Sequence, residues 1–300
     1  MAGICLEFAQ FGHFDSFDII RSMTSMVGVA DVDLPTPIAT GLKTMYYVDT
    51  NVIEGNVYFY KVRVWRGATS FLSSEISIRA ERDEYWAYVK ALLHFDGNLT
   101  DASGNTTYQK YGSGDFSYSD NYAVAGKSAR MNGLSVYVAP ENRSLWSLAG
   151  EAFCLELTFT INSVRGGTNG LLSKWHPGVT SLCEYHIYFD SSGVYVDIRK
   201  SNPLGYVSLL SGPLPSLNTK TKLAFTYDGT TYRLFLNGVL VSSNSSGALI
   251  NFAPNQSVFI GAQYDFNWWF DGYFDELRLT KGVPRYISAY TPIDIPFPDQ

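Results

Sequence analysis

The chain has 300 residues, of which 46% are apolar and 17% are charged, and its formal net charge at pH 7 is −6. This length predicts two domains, and the apolar content excludes a disordered protein. The basic residues form no stripe, so no nucleic-acid partner is expected. No membrane span is expected, because no apolar run of about eighteen residues occurs. No cleaved secretory leader is expected, because residues 1–8 carry no basic segment.

Short segments of alternating apolar and polar residues predict β-strands in the first eighty residues. They lie at 4–8, 17–21, 45–50, 57–65 and 71–78. The clearest is the fourth, in which two cations, Lys61 and Arg63, stand on one side and aromatic or aliphatic residues on the other. Such alternation is typical of a strand that lies half in a core and half in water. Strands this short and closely spaced predict a sandwich.

Part of this region resembles a fibronectin type III module. The resemblance is carried by residues 17–22, 41–50 and 55–64, where the run Tyr-x-Tyr-x-Val-x-Val places Tyr58 at the position of that family's buried tyrosine. It implies a small anchoring module over residues 1–80. A charge-dense and then aromatic stretch, residues 81–90, is interpreted as a linker.

The family's first full strand has no counterpart ahead of residues 4–8. We therefore expect an open sheet edge at Ile4, Leu6 and Phe8 that docks on a partner chain by strand pairing. The alternative is that residues 9–16 fold back and cover this edge.

From residue 91 onward, strands alternate with turns for two hundred residues. Predicted strands lie at 91–95, 128–131, 134–138, 153–161, 170–174, 184–189, 193–199, 223–227, 232–236, 239–242, 258–260 and 272–279. Residues 190–193, 228–229 and 237–238 supply the Asp, Asn and Gly residues of tight hairpins. So many strands in one run predict a large jelly roll.

Three segments of this region resemble laminin-G-like, concanavalin A-like jelly rolls, in the order that this family has them. Residues 92–104 resemble the opening strand and loop, residues 219–242 the central hairpins, and residues 270–282 the closing strand. The resemblance implies an all-β chain: a small fibronectin-III-like sandwich, then a large jelly roll over residues 91–290. Residues 284–290 and the Pro-rich tail 291–300 resemble the ends of such domains in bacteriophage and prophage tail proteins.

Catalytic motifs are missing from the sequence. It contains no nucleophile elbow, phosphate-binding loop or dinucleotide fingerprint. Glycosidases need two carboxylates across the scissile bond, whereas Glu156 stands alone in its predicted strand. We therefore expect no enzyme, and a polysaccharide-degrading enzyme is the lowest alternative. Cys154 and Cys183 are far apart in sequence, and whether they form a disulfide is left open.

A structural calcium ion is implied by the jelly-roll resemblance, because that family often bridges its opening and closing strands with one. The matching residues are Asp96 and Asp275, with Asn98 or Asp101 and backbone carbonyls as further ligands. The alternative is that Asp96 opens a turn and Asp275 accepts hydrogen bonds from backbone amides. Apart from calcium, no cofactor is expected.

Sugar binding is the other role that the resemblance implies, and it requires exposed aromatic rings beside polar groups. The candidates are Trp175, His176, Tyr264, Trp268 and Trp269. Because the two tryptophans are adjacent, a strand would point them to opposite faces. The alternative for each residue is packing in the core or at its rim.

These observations together predict a non-catalytic bacteriophage virion protein of the tail or capsid surface. The N-terminal module would attach to other virion proteins, and the jelly roll would bind a host-surface polysaccharide. Homo-oligomers are expected, as is common for such parts. The main alternative is a structural decoration or tail assembly protein that contacts only neighbouring subunits.

Overall fold

The computed structural model describes residues 4–10, 12–53, 55–80, 83–176, 179–263, 268–292 and 294–299. Strands dominate this part of the chain, joined by loops and four 3-10 turns at Asp31–Asp33, Trp86–Tyr88, Arg143–Trp146 and Thr180–Leu182. The all-β fold class is therefore confirmed. No helix among the described residues has the length and apolarity needed to cross a membrane. The chain divides into two compact units, residues 1–84 and 85–299.

The described residues of the small unit form seven strands. They are β1 (Ile4–Glu7), β2 (Ser16–Ser22), β3 (Ala39–Leu42), β4 (Tyr46–Asp49), β5 (Val57–Arg66), β6 (Thr69–Leu72) and β7 (Ile76–Arg79). One sheet has the order β3-β2-β5-β6, with β7 also paired to β5, and a second sheet consists of β1 and β4. Its core is built around Ile19, Tyr58 and Tyr60.

The predicted strand at 71–78 is wrong in one respect, because the structure breaks it into β6 and β7, which pair with opposite ends of β5. Ser73 lies at the break. Its side-chain hydroxyl accepts a hydrogen bond from the Val62 amide at 2.9 Å. A side-chain atom thus takes the place of a ladder partner, and regular pairing stops there.

In the large unit, the part of the chain that the structure describes forms fifteen strands. They are β8 (Val89–Leu93), β9 (Tyr108–Gly112), β10 (Phe116–Ser119), β11 (Ser128–Asn132), β12 (Val136–Pro140), β13 (Phe153–Ile161), β14 (Asn169–Lys174), β15 (Tyr185–Phe189), β16 (Gly193–Ser201), β17 (Leu204–Pro213), β18 (Thr221–Tyr227), β19 (Tyr232–Leu236), β20 (Val239–Asn244), β21 (Phe259–Ile260) and β22 (Asp271–Lys281). All the pairings recorded between them are antiparallel.

These strands form two sheets around one core. The eight-stranded sheet has the order β10-β11-β22-β13-β18-β19-β20, with β8 also paired to β22, and the seven-stranded sheet has the order β17-β16-β15-β14-β21-β12-β9. Side chains from both sheets, including Phe153, Phe225, Ile187 and Val196, pack in a single apolar cluster. Each sheet therefore has one inner face in the core and one outer face.

The predicted hairpins set the register of the strands. Between β19 and β20, Asn237 and Gly238 adopt φ angles of 49° and 77°, which is the conformation that a two-residue hairpin turn needs. Between β15 and β16, the Asp190 carboxylate accepts hydrogen bonds from the amides of Ser192 and Gly193 at 2.7 and 3.2 Å. This second turn fixes which residues of β15 and β16 share a face.

Candidate ligand-binding face

The outer face of the seven-stranded sheet is rich in aromatic and polar side chains, and we call it the aromatic face. In β16, Val194, Val196 and Ile198 are buried in the core. Because side chains alternate along a strand, the residues between them point outward; they are Tyr195, Asp197 and Arg199. The neighbouring strand β15 likewise directs His186 and Tyr188 to the outer side, next to Asp197 and Tyr195.

Ring contacts run across this face from one edge of the sheet to the other. Centroid distances are 5.4 Å for Tyr111–Tyr137, 4.9 Å for Tyr137–Phe259, 4.6 Å for His186–Tyr188 and 5.1 Å for Tyr188–Tyr195. The rings are partly accessible: Tyr111 is 42% and Tyr206, on the edge strand β17, is 53% exposed. Aromatic rings that lie flat on a sheet provide the apolar surface on which sugar rings stack.

Trp268 and Trp269 both lie against the aromatic face. Trp268 stacks on His186 at 5.2 Å, and Trp269 stacks on Tyr137 at 6.5 Å. The expectation that they point to opposite faces of a strand is therefore wrong. The reason is that β22 begins only at Asp271, so the alternation of a strand does not govern these two residues. Tyr264 lies outside the described residues.

Trp175 and His176 follow the end of β14 and are half-buried. The Trp175 ring meets Tyr206 edge to face, with 5.9 Å between the centroids. The backbone amide of His176 donates to the Cys183 sulfur at 3.2 Å, so this segment is held close to the start of β15. Trp175 thus joins the aromatic face through Tyr206 on β17, a strand that the sequence pattern did not predict.

Polar groups stand between the rings at the β16–β17 edge. The Tyr206 hydroxyl donates to the Asp197 carboxylate and lies 3.2 Å from the Ser208 hydroxyl. Burial and the Asp197 charge both raise the pKa of Tyr188 and of Tyr206, so both hydroxyls stay protonated at neutral pH. A cavity of about 420 Å³ opens beside them, lined by Tyr188, Asp190, Tyr195, Ser208, Leu209, Leu210, Ser211 and Ser242.

The outer face of the eight-stranded sheet is covered by the chain itself. Residues 283–292 and 294–299, which we call the C-terminal strap, cross it, and the Tyr286 and Tyr290 rings stack 3.7 Å apart over Cys154, Ala224 and Phe235. Cys154 is thus buried under the strap, whereas Cys183 contacts His176. Neither cysteine is in a disulfide.

Glu156 lies beneath the strap in a buried ion pair. Its carboxylate accepts two hydrogen bonds from Arg278, at 2.7 and 2.9 Å, and a third from the Tyr286 hydroxyl at 2.8 Å. The Arg278 guanidinium also lies 3.7 Å from the centre of the Phe297 ring. These contacts occupy the Glu156 oxygens, so this carboxylate is not offered to a substrate.

Asp96 and Asp275 are brought to the same loop, residues 123–127. The Asp96 carboxylate accepts from the Lys127 amide at 2.8 Å, and the Asp275 carboxylate accepts from the amides of Val124 and Glu276. Burial, together with the charges of Glu276 and Asp96, raises the pKa of Asp275 to about 8. The hydrogen bonds match the amide-binding alternative, and the closeness of the two carboxylates matches a cation site.

The proposed helper residues are engaged elsewhere. Asp101 is buried and accepts from the Leu92 and Ser103 amides, and Asn98 accepts from the Thr100 amide. Among the residues that the structure describes, no group of three or more His, Cys, Asp or Glu side chains is arranged to hold a metal ion. A cation here would depend on two carboxylates and on backbone carbonyls.

The predicted docking edge lies in β1 of the small unit. The Ile4 and Leu6 side chains are 4% and 3% exposed and belong to the core, and the Phe8 amide extends the pairing with β4 through a hydrogen bond to the Met45 carbonyl. Within the described ranges β1 pairs only with β4. What this strand can offer a partner is therefore its second backbone edge, and not the Ile4 and Leu6 side chains.

Comparison with known families gives one match. The family described as the concanavalin A-like lectin/glucanases superfamily matches residues 131–284, just over half of the chain. No curated protein sequence matches the chain. The match confirms the laminin-G-like prediction for this region, whereas the fibronectin type III resemblance of residues 1–80 stays a prediction.

Solved structures with the same fold include binding domains of bacterial proteins. Domain 4 of the extracellular arabinanase AbnA from Geobacillus stearothermophilus, solved with arabinotriose, has a TM-score of 0.52 and 21% identity, and the alignment covers 65% of this chain and 93% of that one. The binding domain of Paraclostridial Mosquitocidal Protein 1 has a TM-score of 0.53 and 13% identity, with 67% and 50% coverage. The receptor-binding domain of botulinum neurotoxin D has a TM-score of 0.50 and 11% identity, with 67% and 50% coverage. This chain thus spans about half of each toxin domain, and at these identities the likeness concerns the fold.

Proposed function

Because the chain belongs to the concanavalin A-like lectin/glucanases superfamily, we propose that it is a non-catalytic carbohydrate-binding protein whose aromatic face holds the glycan. The observation that carries this proposal is the set of rings on that face, which includes Tyr188, Tyr206 and Trp268 beside the polar groups of Asp197 and Ser208. The strap packs on the opposite outer face, whereas Tyr111 and Tyr206 on the aromatic face are exposed.

A binding role is supported over an enzymatic one by the surroundings of the carboxylates. Glu156 is neutralised by Arg278 and lies under the strap. The Asp190 carboxylate, which lines the cavity, is used by its own hairpin turn. Hydrolysis of a glycosidic bond requires two carboxyl groups that face each other across the sugar, and neither of these residues is free for that task.

The test is glycan binding by the full chain, measured by titration calorimetry with arabinotriose and with a panel of neutral oligosaccharides and purified bacterial envelope polysaccharides. Trp268→Ala is expected to weaken binding at least tenfold, because a stacked ring in the centre of a site contributes strongly to affinity. Trp86→Ala removes another half-buried tryptophan, in the turn before β8, and is expected to leave binding unchanged. Equal effects of the two variants, or no binding to any probe, would overturn the proposal.

The finer proposal is that the protein belongs to a bacteriophage virion, on the tail or capsid surface. It is supported by the resemblance of residues 284–290 and the tail to phage proteins, and by the second edge of β1, to which another strand can add. Repeated copies, such as a homo-oligomer, would strengthen a weak glycan site through avidity. An electron-microscopy map of the particle tests this: an aromatic face buried among neighbouring subunits would favour the purely structural alternative.

We also propose that a structural calcium ion binds at Asp96 and Asp275. The two carboxylates fit a hard cation in charge and in atom type, and the raised pKa of Asp275 shows that its burial near other acids disfavours an uncompensated negative charge. A bound divalent cation would compensate that charge and link the segment after β8 to β22.

A further inference from the structure

A row of polar side chains crosses the aromatic face at right angles to the strands. Ser173 on β14 lies beside His186 on β15, His186 lies beside Asp197 on β16, and Asp197 lies beside Ser208 on β17. Since directly opposed residues in a sheet are about 5 Å apart, the row extends for roughly 15 Å. The first three of these side chains are 0%, 2% and 4% exposed.

Each of these three buried residues has a polar atom that finds no hydrogen-bond partner among the residues that the structure describes. The atoms are Ser173 Oγ, His186 Nε2 and Asp197 Oδ1, and the Nε of Arg199 on the same face is a fourth. Buried polar atoms are nearly always paired, because an unpaired one costs free energy. Three such atoms in one cross-strand row lower the stability of the fold at one place. Local losses of stability of this kind are typical of sites that bind a ligand.

We propose that this row binds the hydroxyl groups of a neutral glycan that lies across the strands, an inference that rests on the proposed function and names its ligand class. A sugar hydroxyl both donates and accepts a hydrogen bond. It therefore matches the Asp197 carboxylate, which accepts, and also the Ser173 hydroxyl and the His186 ring, which can take either role. The stacked rings of Trp268 and Tyr188 lie over the same row and provide the apolar contact.

The glycan can reach the row from the edge of the sheet. Tyr206 is exposed and already donates to Asp197, and Ser208 is exposed beside it. The Trp268 ring covers His186, and its backbone carbonyl accepts from the Gly170 amide at 3.1 Å. A sugar that enters beside Tyr206 contacts Asp197 first, and its hydroxyls, or one water that it holds, extend the hydrogen bonds to His186 and Ser173.

The charges around the row favour an uncharged sugar. Burial lowers the pKa of His186 to about 3, so its ring carries no charge at neutral pH. The Asp197 carboxylate lies in the row itself, and the Asp190 carboxylate lines the cavity beside it. The carboxylate of a uronic acid placed on the row would be repelled by these two negative charges, whereas the hydroxyls of a neutral sugar would not.

Two conservative variants test the row, because they should change stability and affinity in opposite directions. Ser173→Ala and His186→Phe each remove an unpaired polar atom, and the second keeps a ring beneath Trp268. We expect each to raise the Tm by about 2–4 °C and to weaken glycan binding roughly three- to tenfold. The control is Ser128→Ala, since Ser128 is also fully buried but donates to the Ser119 and Asn121 carbonyls; it should lower the Tm and leave binding unchanged.

Binding is measured by calorimetry on the full chain with neutral gluco-, manno-, galacto-, xylo- and arabino-hexasaccharides, and with hexaglucuronate and hexagalacturonate. Weaker binding of a neutral sugar by both variants supports the proposal. If Trp268→Ala abolishes binding but neither row variant changes it, the row holds internal water only, and the inference fails while the proposed function stands. Binding of the uronates alone overturns the ligand class. No binding by the unaltered chain overturns the inference and the proposed function together.

Discussion

The two outer faces of the large unit differ in what covers them and in how their polar side chains are paired. On the eight-stranded sheet the strap covers the surface, and the Glu156 carboxylate receives three hydrogen bonds from Arg278 and Tyr286. On the seven-stranded sheet there is no such cover within the described residues, and polar atoms of Ser173, His186, Asp197 and Arg199 remain without a protein partner. The eight-stranded sheet also keeps one unpaired hydroxyl, that of Thr160 on β13, whereas the four unpaired atoms of the seven-stranded sheet lie on three neighbouring strands, where our proposal places a ligand.

The difference has a physical basis in where the chain continues after each sheet. The strap follows directly from β22, at the middle of the eight-stranded sheet, and returns across it; the Tyr290 amide donates to the Gly238 carbonyl, and Asp294 pairs with Lys220. The loop after β21 instead brings Trp268 and Trp269 onto the other sheet, where they add rings without satisfying the polar atoms below. A covered face adds stability, and an incomplete face provides recognition.

The largest expected change in stability comes from disrupting the ion pair under the strap. Glu156→Ala leaves the buried Arg278 guanidinium without its carboxylate, and losing one partner of a buried ion pair costs about 3–5 kcal/mol. We expect the Tm to fall by about 10 °C while the folded protein binds glycan as before. The control is Glu151→Ala, whose side chain is 44% exposed and pairs with Lys281 at 2.9 Å; such surface pairs contribute less than about 1 kcal/mol. Similar losses in the two variants would show that the strap-covered ion pair does not stabilise the fold.

The sequence carried enough information for the fold and for part of the aromatic face. The strands at 184–189 and 193–199 and the turn at 190–193 were all predictable, because apolar residues alternate on either side of a turn rich in Asp, Ser and Gly. That register alone would have placed His186 beside Asp197 and Tyr188 beside Tyr195. These outward-facing residues could have been predicted from the alternation, although the sequence analysis concentrated on tryptophans.

The rest of the site depends on contacts that no local pattern contains. No strand is predicted between residues 199 and 223, whereas the structure has β17 from Leu204 to Pro213, paired with β16, and this strand carries Tyr206. Trp268 and Trp269 reach the sheet through a loop whose path depends on tertiary packing. The sequence analysis placed the end of the jelly roll at residue 290 and a Pro-rich tail after it, and only the fold reveals that Tyr286 contacts Glu156, 130 residues earlier in the chain.

A smaller effect should appear on the aromatic face when the pH is lowered. The pKa of His186 is about 3 in the folded protein and near 6.5 when unfolded, so between these values the unfolded chain binds more protons. The stability that this residue contributes is therefore present above pH 6.5 and is lost as the pH falls, by up to about 1.4 kcal/mol per pH unit. His186→Phe should remove this part of the acid destabilisation, worth about 2 kcal/mol at pH 5.

The measurement is the free energy of unfolding in urea from pH 7 to pH 4, compared between the unaltered chain and His186→Phe. Ser173 and Asp197 lie beside His186 on the two adjacent strands, and the Tyr188 and Trp268 rings stack on it. None of these residues is changed by the substitution. His176→Phe, at a half-buried histidine near the end of the same face, is the matched control. Parallel pH profiles for all three proteins would mean that His186 is solvated or paired in solution.

The smallest expected effect is that of calcium on the Tm. It also distinguishes the two faces, because calcium should change stability and not glycan affinity. At a calcium concentration ten times the dissociation constant, binding to the folded state adds about 1.4 kcal/mol, so the Tm should rise by about 3–5 °C on adding calcium and return on adding EDTA. Asp275→Asn should abolish this response, whereas Asp228→Asn, which alters a carboxylate used by Thr230, Thr231 and Arg233, should keep it. Because Asp275 lies on β22 of the eight-stranded sheet, glycan affinity should be the same with and without EDTA. If calcium does not change the Tm, Asp275 is a buried carboxyl that only accepts hydrogen bonds from the Val124 and Glu276 amides. If calcium changes the glycan affinity, the two faces are coupled.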